Sequence, residues 1–208
     1  MVFDIGGVLL DWDPRHLYRK VFDDEDTMER FLATVCTAQW HDPHDRGEST
    51  EQSCAALARS HPHYAEQIWA WHRRSEEMVA GPIEPTVAIL AELSAAAVPC
   101  YALTNMEVET FPRRAARYGF FALFEGVVVS GFEKMAKPDP EIFELLVRRF
   151  GLARAATLFI DDNPANLDTA AACGLVTHHY DGPVGLRRHL EEAGLLTASS
   201  SVGPAPGG

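Results

Sequence analysis

Lysine is the scarcest charged residue in this sequence of 208 residues. Only Lys20, Lys134 and Lys137 occur, although lysine and arginine together number 18. The formal net charge is −12 at pH 7, and no basic stripe interrupts the acidic background. Because binding to a nucleic-acid backbone depends on clustered positive charge, this composition argues against a nucleic-acid partner. It leaves room for a small phosphorylated ligand, which a few cations and a metal ion can hold.

Cysteine pairs and long apolar runs are also missing. The four cysteines show neither the spacing of a metal site nor that of a redox motif. No segment approaches the roughly 20 apolar residues of a membrane span, so we expect no membrane partner. The first apolar run is short and contains Asp4, unlike a signal peptide. A cytoplasmic location is the default expectation, and the oligomeric state stays open.

Apolar residues nevertheless make up 47% of the chain, enough to build a core. Residues 2–4 are typical of the end of a buried strand, and Gly6 and Gly7 mark a tight turn after it. Helical spacing of apolar residues then predicts helices over 15–22, 27–39, 50–60 and 62–79. Gly81-Pro82 should end the last of these. The stretch 14–81 is therefore predicted to be a small all-helical insertion.

Beyond residue 82 the pattern alternates between helix and strand. Helices are expected over 85–97, 109–118, 139–151 and 163–173, and strands over 99–104, 126–130, 157–161 and 175–180. Such alternation predicts an α/β fold with a parallel sheet covered by helices on both faces. The expected domains are a core of residues 1–13 and 82–196 and a helical segment of 14–81. Residues 197–208 have the composition of a flexible tail.

Polar residues follow the predicted strands where each strand ends. Asp4 ends the first strand and Thr104-Asn105 the second; Lys137-Pro138 follows the third, and Asp161-Asp162 ends the fourth. Any one of them alone would be ordinary turn or cap chemistry. Together, at the ligand-binding edge of an open α/β sheet, they suit phosphoryl transfer. Carboxylates hold Mg²⁺, an Asp can act as nucleophile, and hydroxyl, amide and ammonium groups bind phosphoryl oxygens.

These residues also carry a family resemblance. Residues 3–9 (Phe-Asp-Ile-Gly-Gly-Val-Leu), 103–105 (Leu-Thr-Asn), 137–143 (Lys-Pro-Asp-Pro-Glu-Ile-Phe) and 159–163 (Phe-Ile-Asp-Asp-Asn) resemble, in order, the four motifs of haloacid-dehalogenase-like hydrolases. The resemblance extends from Met1 to about residue 190, and it implies a Rossmann-like core with a helical cap. Within the superfamily, the sequence is similar to phosphatases of the glucose-1-phosphatase type and to the phosphatase domain of soluble epoxide hydrolase.

The resemblance implies a role for each motif residue. Asp4 would attack phosphorus in a Mg²⁺-dependent phosphatase acting on a small phosphorylated metabolite, with a sugar phosphate as one candidate. Asp4, Asp162, Asp161 and the Gly6 carbonyl would be the metal ligands, Asp161 directly or through water. Thr104, Asn105 and Lys137 would bind the phosphoryl group, and Asn166 would support the metal-side loop.

Position 6 departs from the family pattern. Most phosphatases of the superfamily have an Asp there, which protonates the leaving group, whereas this chain has Gly6. General acid–base catalysis typically contributes ~10²–10⁴-fold in rate. Asp11 and Asp13 lie just downstream, and our hypothesis is that one of them fills the role, with Asp13 favoured because Pro14 stiffens its loop. An equally open alternative is that both are solvated or cap the helix after Pro14.

Residues 40–48 (Trp-His-Asp-Pro-His-Asp-Arg-Gly-Glu) are unusually rich in ionisable groups. We expect a polar loop that faces the site and selects substrates; a solvated loop is the alternative. Trp69 and Trp71 are expected to pack inside the helical segment.

Two other functions compete with the phosphatase. A 2-haloacid dehalogenase would need no metal, and Asp161-Asp162 argues against it. A catalytically weak phosphate-binding regulatory protein is favoured only by Gly6.

Overall fold

The computed structural model describes residues 1–197, and a parallel sheet of five strands forms its centre. The strand order is β5-β4-β1-β6-β7, and every pair in this sheet is parallel. A separate antiparallel pair is formed by β2 and β3. The strands are β1 (Val2–Phe3), β2 (Leu10–Trp12), β3 (Val79–Pro82), β4 (Tyr101–Thr104), β5 (Gly126–Val129), β6 (Leu158–Asp161) and β7 (Val176–His179).

Eleven α-helices accompany these strands within residues 1–197. Short 3₁₀ turns occupy Pro62–Tyr64, Ser75–Met78, Gly119–Leu123 and Arg154–Ala156. The helices are α1 (Pro14–Tyr18), α2 (Glu25–Thr34), α3 (Ala38–Asp45), α4 (Thr50–Ser60), α5 (Ala65–Arg73), α6 (Glu84–Ala95), α7 (Thr110–Arg117), α8 (Ser130–Glu133), α9 (Pro140–Phe150), α10 (Pro164–Ala172) and α11 (Pro183–Glu192).

Helices cover both faces of the sheet, so the predicted α/β class is confirmed. On one face, Ile89 and Leu90 of α6 and Leu186 of α11 join a core with Phe3 and Ile160. On the other face, α9 and α10 pack against Val2, Leu103 and Phe159; they contribute Ile142, Phe143, Leu146, Val147, Leu167 and Ala170. Alternate strand residues therefore point into two cores, which explains why β1, β4, β5 and β6 are apolar almost throughout, whereas the edge strand β7 is not.

The register of the sheet brings the functional strand ends together. The central strand β1 pairs with β4 and with β6; Phe3 lies opposite Ala102 on one side and Ile160 on the other. Parallel strands end at the same edge of a sheet, so Asp4 lies between the ends of β4 and β6. Residues that are far apart in the sequence are thus brought together at one edge of the sheet.

Residues 14–78, which we call the cap segment, are helical as predicted and have a core of their own. Leu17, Tyr18, Phe31, Ile68 and Trp71 are all buried in it. The β2–β3 pair flanks this segment in sequence, with Asp11 opposite Gly81. The division of the chain into core and cap domains, with its boundaries at residues 14 and 81, stays a prediction.

Several predicted elements within the cap segment were wrong in their bounds. The helix expected over 27–39 ends at Thr34, because Thr37 starts a new helix by accepting a hydrogen bond from the Trp40 amide (3.1 Å). The expected loop over 40–48 is mostly the helix α3.

The helix expected over 62–79 breaks at Arg74, and residues from Val79 form β3. The backbone of β3 hydrogen-bonds to β2, and these bonds would be lost if the helix continued through residue 79. No helix among residues 1–197 is long and apolar enough to cross a membrane. The predicted tail lies, after Thr197, outside the described residues.

Candidate active site

Asp4, Lys137 and Asp161 form a buried cluster at the carboxyl edge of the sheet. The Lys137 ammonium lies 2.8 Å from Asp4 Oδ1 and 2.7 Å from Asp161 Oδ2. Its side chain is only 1% exposed, and that of Asp161 is fully buried. Two carboxylates therefore share one lysine where water cannot screen them, and each ion pair is correspondingly stronger.

Asn105 fixes the loop that delivers Lys137. Its side-chain amide donates to the Lys137 carbonyl (2.9 Å), and its side-chain oxygen accepts from the Lys137 amide (2.9 Å). The end of β4 therefore clamps the loop before α9, and one amide hydrogen of Asn105 is left over for a ligand. Thr104, 1% exposed, lies beside it and lines the same cavity.

Asp161 and Asp162 are adjacent in sequence but differ in their surroundings. Asp161 accepts hydrogen bonds from Lys137, from the Asn166 side chain (3.0 and 3.1 Å) and from the Asn163 amide (2.8 Å). Asp162 is more exposed, and its carboxylate lies against the turn after β1. Asp161 thus anchors Lys137, while Asp162 remains available to a ligand.

Burial sets the protonation of the cluster. It raises the pKa of Asp4 to about 7; Lys137 opposes this rise and Asp161 adds to it. Burial also acts to lower the pKa of Lys137, but the two carboxylates outweigh it and the pKa is raised. When Asp4 is ionised, two carboxylates face one ammonium, so a further cation bound there would stabilise the ionised form of Asp4.

The carboxylates fit a divalent metal. One oxygen each from Asp4, Asp161 and Asp162 lie within 4.8 Å of one another. Gly7 permits this approach: its φ is +72°, and a Cβ there would lie 2.3 Å from Asp162 Oδ2. An all-oxygen donor set beside a buried lysine suits a hard ion such as Mg²⁺. Gly6, whose backbone carbonyl is the other predicted ligand, lines the same cavity.

A cavity of about 360 Å³ opens onto Asp4 and Lys137. The cap segment and the core both line it. Its apolar wall consists of Trp12, Trp71, Met78 and Met106. Trp71 is therefore both part of the cap core and a wall of the cavity, whereas Trp69 only packs against the cap core.

A polar wall lies in the same cavity, formed by His41, Asp45, Glu107 and Arg114. His41 Nε2 is 3.6 Å from Asp45, one turn further along α3. Burial, with Glu107 and Asp42 nearby, raises the pKa of Asp45 to about 7. Burial lowers the pKa of His41. Arg114 is buried, and its Nε has no hydrogen-bond partner among the described residues.

The other candidates for proton transfer lie elsewhere. Asp13 is the N-cap of α1 and accepts from the Arg15 amide (2.8 Å), and it is not among the residues that line the cavity. The structure thus favours the capping alternative for Asp13. Asp11 is half exposed and pairs with His16 (2.9 Å).

Sequence reasoning missed Trp12, Glu107 and Arg114 as cavity residues. The expected position of segment 40–48 beside the site is correct for His41 and Asp45, but they stand on a helix. Their spacing of four residues was a usable signal, because such a pair shares one helix face. Arg114 gave no signal beyond its place in a helix.

The comparisons with known proteins agree with this geometry. Residues 1–174 match the family model of the haloacid dehalogenase-like hydrolases, so the chain belongs to this family and is a hydrolase. The predicted family is therefore confirmed. The two narrower types, glucose-1-phosphatase and epoxide hydrolase phosphatase domain, stay predictions.

Individual relatives have low sequence identity to this chain. The chain is 27% identical over 179 residues to the sesquiterpene phosphatase astK of Aspergillus oryzae, covering 86% of this chain and 87% of that protein. HAD family enzyme BT-2542 of Bacteroides thetaiotaomicron superposes with a TM-score of 0.67 at 20% identity, covering 86% and 91% of the two chains. The L-2-haloacid dehalogenase of Xanthobacter autotrophicus superposes at 0.62 with 19% identity, covering 94% and 83%. Both structural matches establish the fold.

Proposed function

We propose that this hydrolase is a Mg²⁺-dependent phosphatase that cleaves a small phosphorylated metabolite through an aspartyl-phosphate on Asp4. The observation that carries the proposal is the buried Asp4–Lys137–Asp161 cluster with Asp162 beside it, at the floor of a cavity. The name of the Aspergillus oryzae relative, a sesquiterpene phosphatase, supports it. The BT-2542 enzyme, which shares this fold at 21% identity, binds magnesium and inorganic phosphate in one of its crystal structures, and we propose the same pair of ligands for this chain.

Asp4 is the proposed nucleophile. The hydrogen bonds from Lys137 and from the Ile5 amide (2.7 Å) both reach Oδ1, so Oδ2 has no donor among the described residues. An oxygen without donors keeps its lone pairs for attack on phosphorus. Lys137, Thr104 and Asn105 would bind the phosphoryl oxygens, and Lys137 would stabilise the charge that builds up on them.

Asp4, Asp162 and the Gly6 carbonyl would hold Mg²⁺, with Asp161 linked directly or through water. A bound ion of this kind neutralises phosphate charge, so that an anionic nucleophile can approach. Asn166 keeps Asp161 oriented by donating to both of its oxygens. Metal binding would need no substrate, because the carboxylates of Asp4, Asp161 and Asp162 already lie close together.

The organic part of the substrate would lie between the two walls of the cavity. Trp12, Trp71, Met78 and Met106 offer apolar contact, and Arg114 offers one cation. We therefore propose a phosphate monoester whose organic part is at least partly apolar. A sugar phosphate, predicted from the sequence, and an isoprenoid phosphate, suggested by the sesquiterpene phosphatase relative, are the two classes to compare.

The test is release of inorganic phosphate from a panel of sugar, isoprenoid and aryl monophosphates, with Mg²⁺ and with EDTA. We expect Mg²⁺-dependent release that Asp4→Asn abolishes. Metal binding has a separate readout, because a ligand that binds only the folded chain raises Tm. Mg²⁺ should raise the Tm of the wild type and raise it less in Asp162→Asn.

The competing functions predict different results. Halide release from a 2-haloacid without metal, together with no phosphate release, would establish a dehalogenase and contradict the proposal. Tight binding of a phosphate ester without turnover by the folded wild type would instead indicate a phosphate-binding protein.

A further inference from the structure

The proposed reaction requires a proton donor. When Asp4 attacks phosphorus, the bond to the ester oxygen breaks and an alkoxide leaves, which needs a proton unless it is already a stable anion. Among the described residues that line the cavity, Asp4 and Asp162 are committed to attack and metal binding. The remaining carboxyl and imidazole side chains in its lining are those of His41, Asp45 and Glu107.

The two residues that follow Asp45 hold the end of α3 against the core. The next residue, Arg46, donates to the carboxylate of Asp139 at the start of α9. Gly47 approaches the carbonyl of Gly131 so closely that a Cβ would lie 2.6 Å from it. Asp45 lines the same cavity as Asp4 and Lys137, and Lys137 is near enough to act on the pKa of Asp45, which it lowers.

The Asp45 carboxyl group is free to transfer a proton. Its side chain is 14% exposed, and its nearest partner is His41 Nε2 at 3.6 Å, beyond a normal hydrogen bond. Glu107 is less free, because its Oε2 accepts from the Thr110 hydroxyl (2.9 Å). His41 stacks on Trp12 and packs against Trp71, which fixes the imidazole beside Asp45.

We propose that Asp45, supplied by the cap segment, is the general acid and base of the reaction, with His41 as its positioning residue. The inference rests on the proposed phosphatase function. In the first step, Asp45 donates its proton to the leaving oxygen as Asp4 forms its bond to phosphorus, releasing the alcohol. In the second step, Asp45 accepts a proton from the water that attacks phosphorus. Inorganic phosphate leaves and the Asp4 carboxylate is restored.

The surroundings of Asp45 agree with this role. Burial and the neighbouring carboxylates of Glu107 and Asp42 raise its pKa to about 7, so much of it is protonated at neutral pH. A general acid works best when its pKa lies near the working pH. The same group is then basic enough to accept the proton of the attacking water.

The experiment compares leaving groups. Asp45→Asn should lower kcat for an unactivated alkyl phosphate by ~10²–10⁴-fold, but lower it much less for p-nitrophenyl phosphate, whose leaving group needs no proton. Asp26→Asn is the matched control: it removes a carboxylate from the same cap segment, but an exposed one in α2 that does not line the cavity. We expect the kcat of this control for each of the two esters to equal that of the wild type.

A second variant tests the assignment by rescue. A side chain at Gly6 has room, because a Cβ there meets only Trp12 Cβ, at 4.0 Å. Gly6→Asp would therefore put a carboxyl group beside Asp4 and should restore alkyl phosphate turnover in the Asp45→Asn background. Rescue of this kind also shows that Asp45→Asn is folded.

Two results would overturn the assignment alone. One is equal loss of activity on both esters, which a purely structural role would produce, and the other is no loss on either. Absence of Mg²⁺-dependent turnover in the wild type would instead refute the proposed function, and the assignment with it.

Discussion

Lys137 pairs with two buried carboxylates, so we expect it to stabilise the folded state as well as to take part in the proposed chemistry. Asp4 and Asp161 are both within 2.8 Å of its ammonium. Removing one partner of a buried ionic cluster leaves the other charges without compensation, which typically costs about 3–5 kcal/mol. The cost is larger than the net contribution of the ion pairs themselves, because desolvation is no longer offset.

Lys137→Met should therefore lower the free energy of unfolding by roughly 3–5 kcal/mol in urea denaturation with EDTA present. The loss should be smaller at pH 5 than at pH 8, because Asp4 can then be protonated. Lys134→Met is the control: Lys134 is exposed, and its substitution should change stability by less than about 0.5 kcal/mol. Equal effects of the two substitutions would contradict the account of the cluster.

Removing the Asp45 carboxyl group should have the opposite effect on the free energy of unfolding: it should raise stability at high pH. Its pKa is raised from 3.8 to about 7 on folding, so the folded chain keeps a proton that the unfolded chain has lost. Its contribution to stability falls as pH rises from about 4 to 7 and stays low above. The ionisable groups that set this shift or pair with the carboxyl are His41, Asp42, Glu107, Arg114 and Lys137.

Asp45→Asn cannot ionise and should escape this loss. We expect its Tm to match the wild type near pH 4 and to exceed it at pH 8. The gain should reach at least about 1 kcal/mol, or ~2–4 °C for a chain of this size. Thermal denaturation of both proteins across this range checks it. A Tm difference independent of pH would mean that Asp45 is ionised throughout and would remove one support of its role.

At the scale of elements, the contact between α3 and α8 determines where Asp45 lies. Gly47 follows α3 with φ +88°, and a Cβ there would collide with the carbonyl of Gly131, the second residue of α8. Gly151, the C-cap of α9, is also left-handed with φ +62°, but nothing lies within 4 Å of a Cβ built there. Comparing alanine substitutions at the two glycines therefore separates the cost of a left-handed alanine from the cost of a steric collision.

Gly151→Ala should cost about 1–2 kcal/mol, the cost of a left-handed alanine. Gly47→Ala should cost more, and it should also reduce kcat for an alkyl phosphate, because the end of α3 must move away from the core. Chemical denaturation and steady-state kinetics on the two variants give both quantities. Equal stability costs with unchanged turnover would show that this contact does not position α3.

The same element scale explains what sequence could predict. Asp4, Thr104, Asn105, Lys137 and Asp161 were placed together from the sequence because parallel strands end at one edge, whatever the details of packing. Their local patterns of buried strand, turn and helix start are encoded within a few residues. The clamp between Asn105 and Lys137 was not predicted, because it depends on a loop conformation rather than on periodicity.

The polar wall could not be predicted in the same way. His41, Asp45 and Arg114 reach the cavity only because α3 and α7 dock at particular angles, through contacts such as Arg46 with Asp139 that join residues 93 positions apart. The helix α3 itself was not predicted: residues 40–48 were expected to be a loop, because the Thr37 cap was overlooked in an apolar pattern that continues past it. Non-local docking and a missed cap account for most of the errors.

At the scale of the whole molecule, the core and the cap segment divide the proposed reaction between them. The carboxyl edge of the sheet offers the nucleophile, the lysine and the metal ligands, while the cap segment supplies Trp71, His41 and Asp45. The cavity between them limits contact of the reacting phosphate with bulk water. The account predicts that chemistry is set by the core and that leaving-group and substrate preference are set by the cap segment.

The most direct test of the central claim is to trap the phosphorylated enzyme. Wild type would be mixed with Mg²⁺ and a substrate from the panel, quenched in acid during turnover, and its peptides weighed by mass spectrometry. We predict one added phosphoryl group on the peptide that contains Asp4, absent in Asp4→Asn and without Mg²⁺. Phosphate release with label on another residue, or with none under conditions where dephosphorylation is slowed by Asp45→Asn, would contradict Asp4 as the nucleophile.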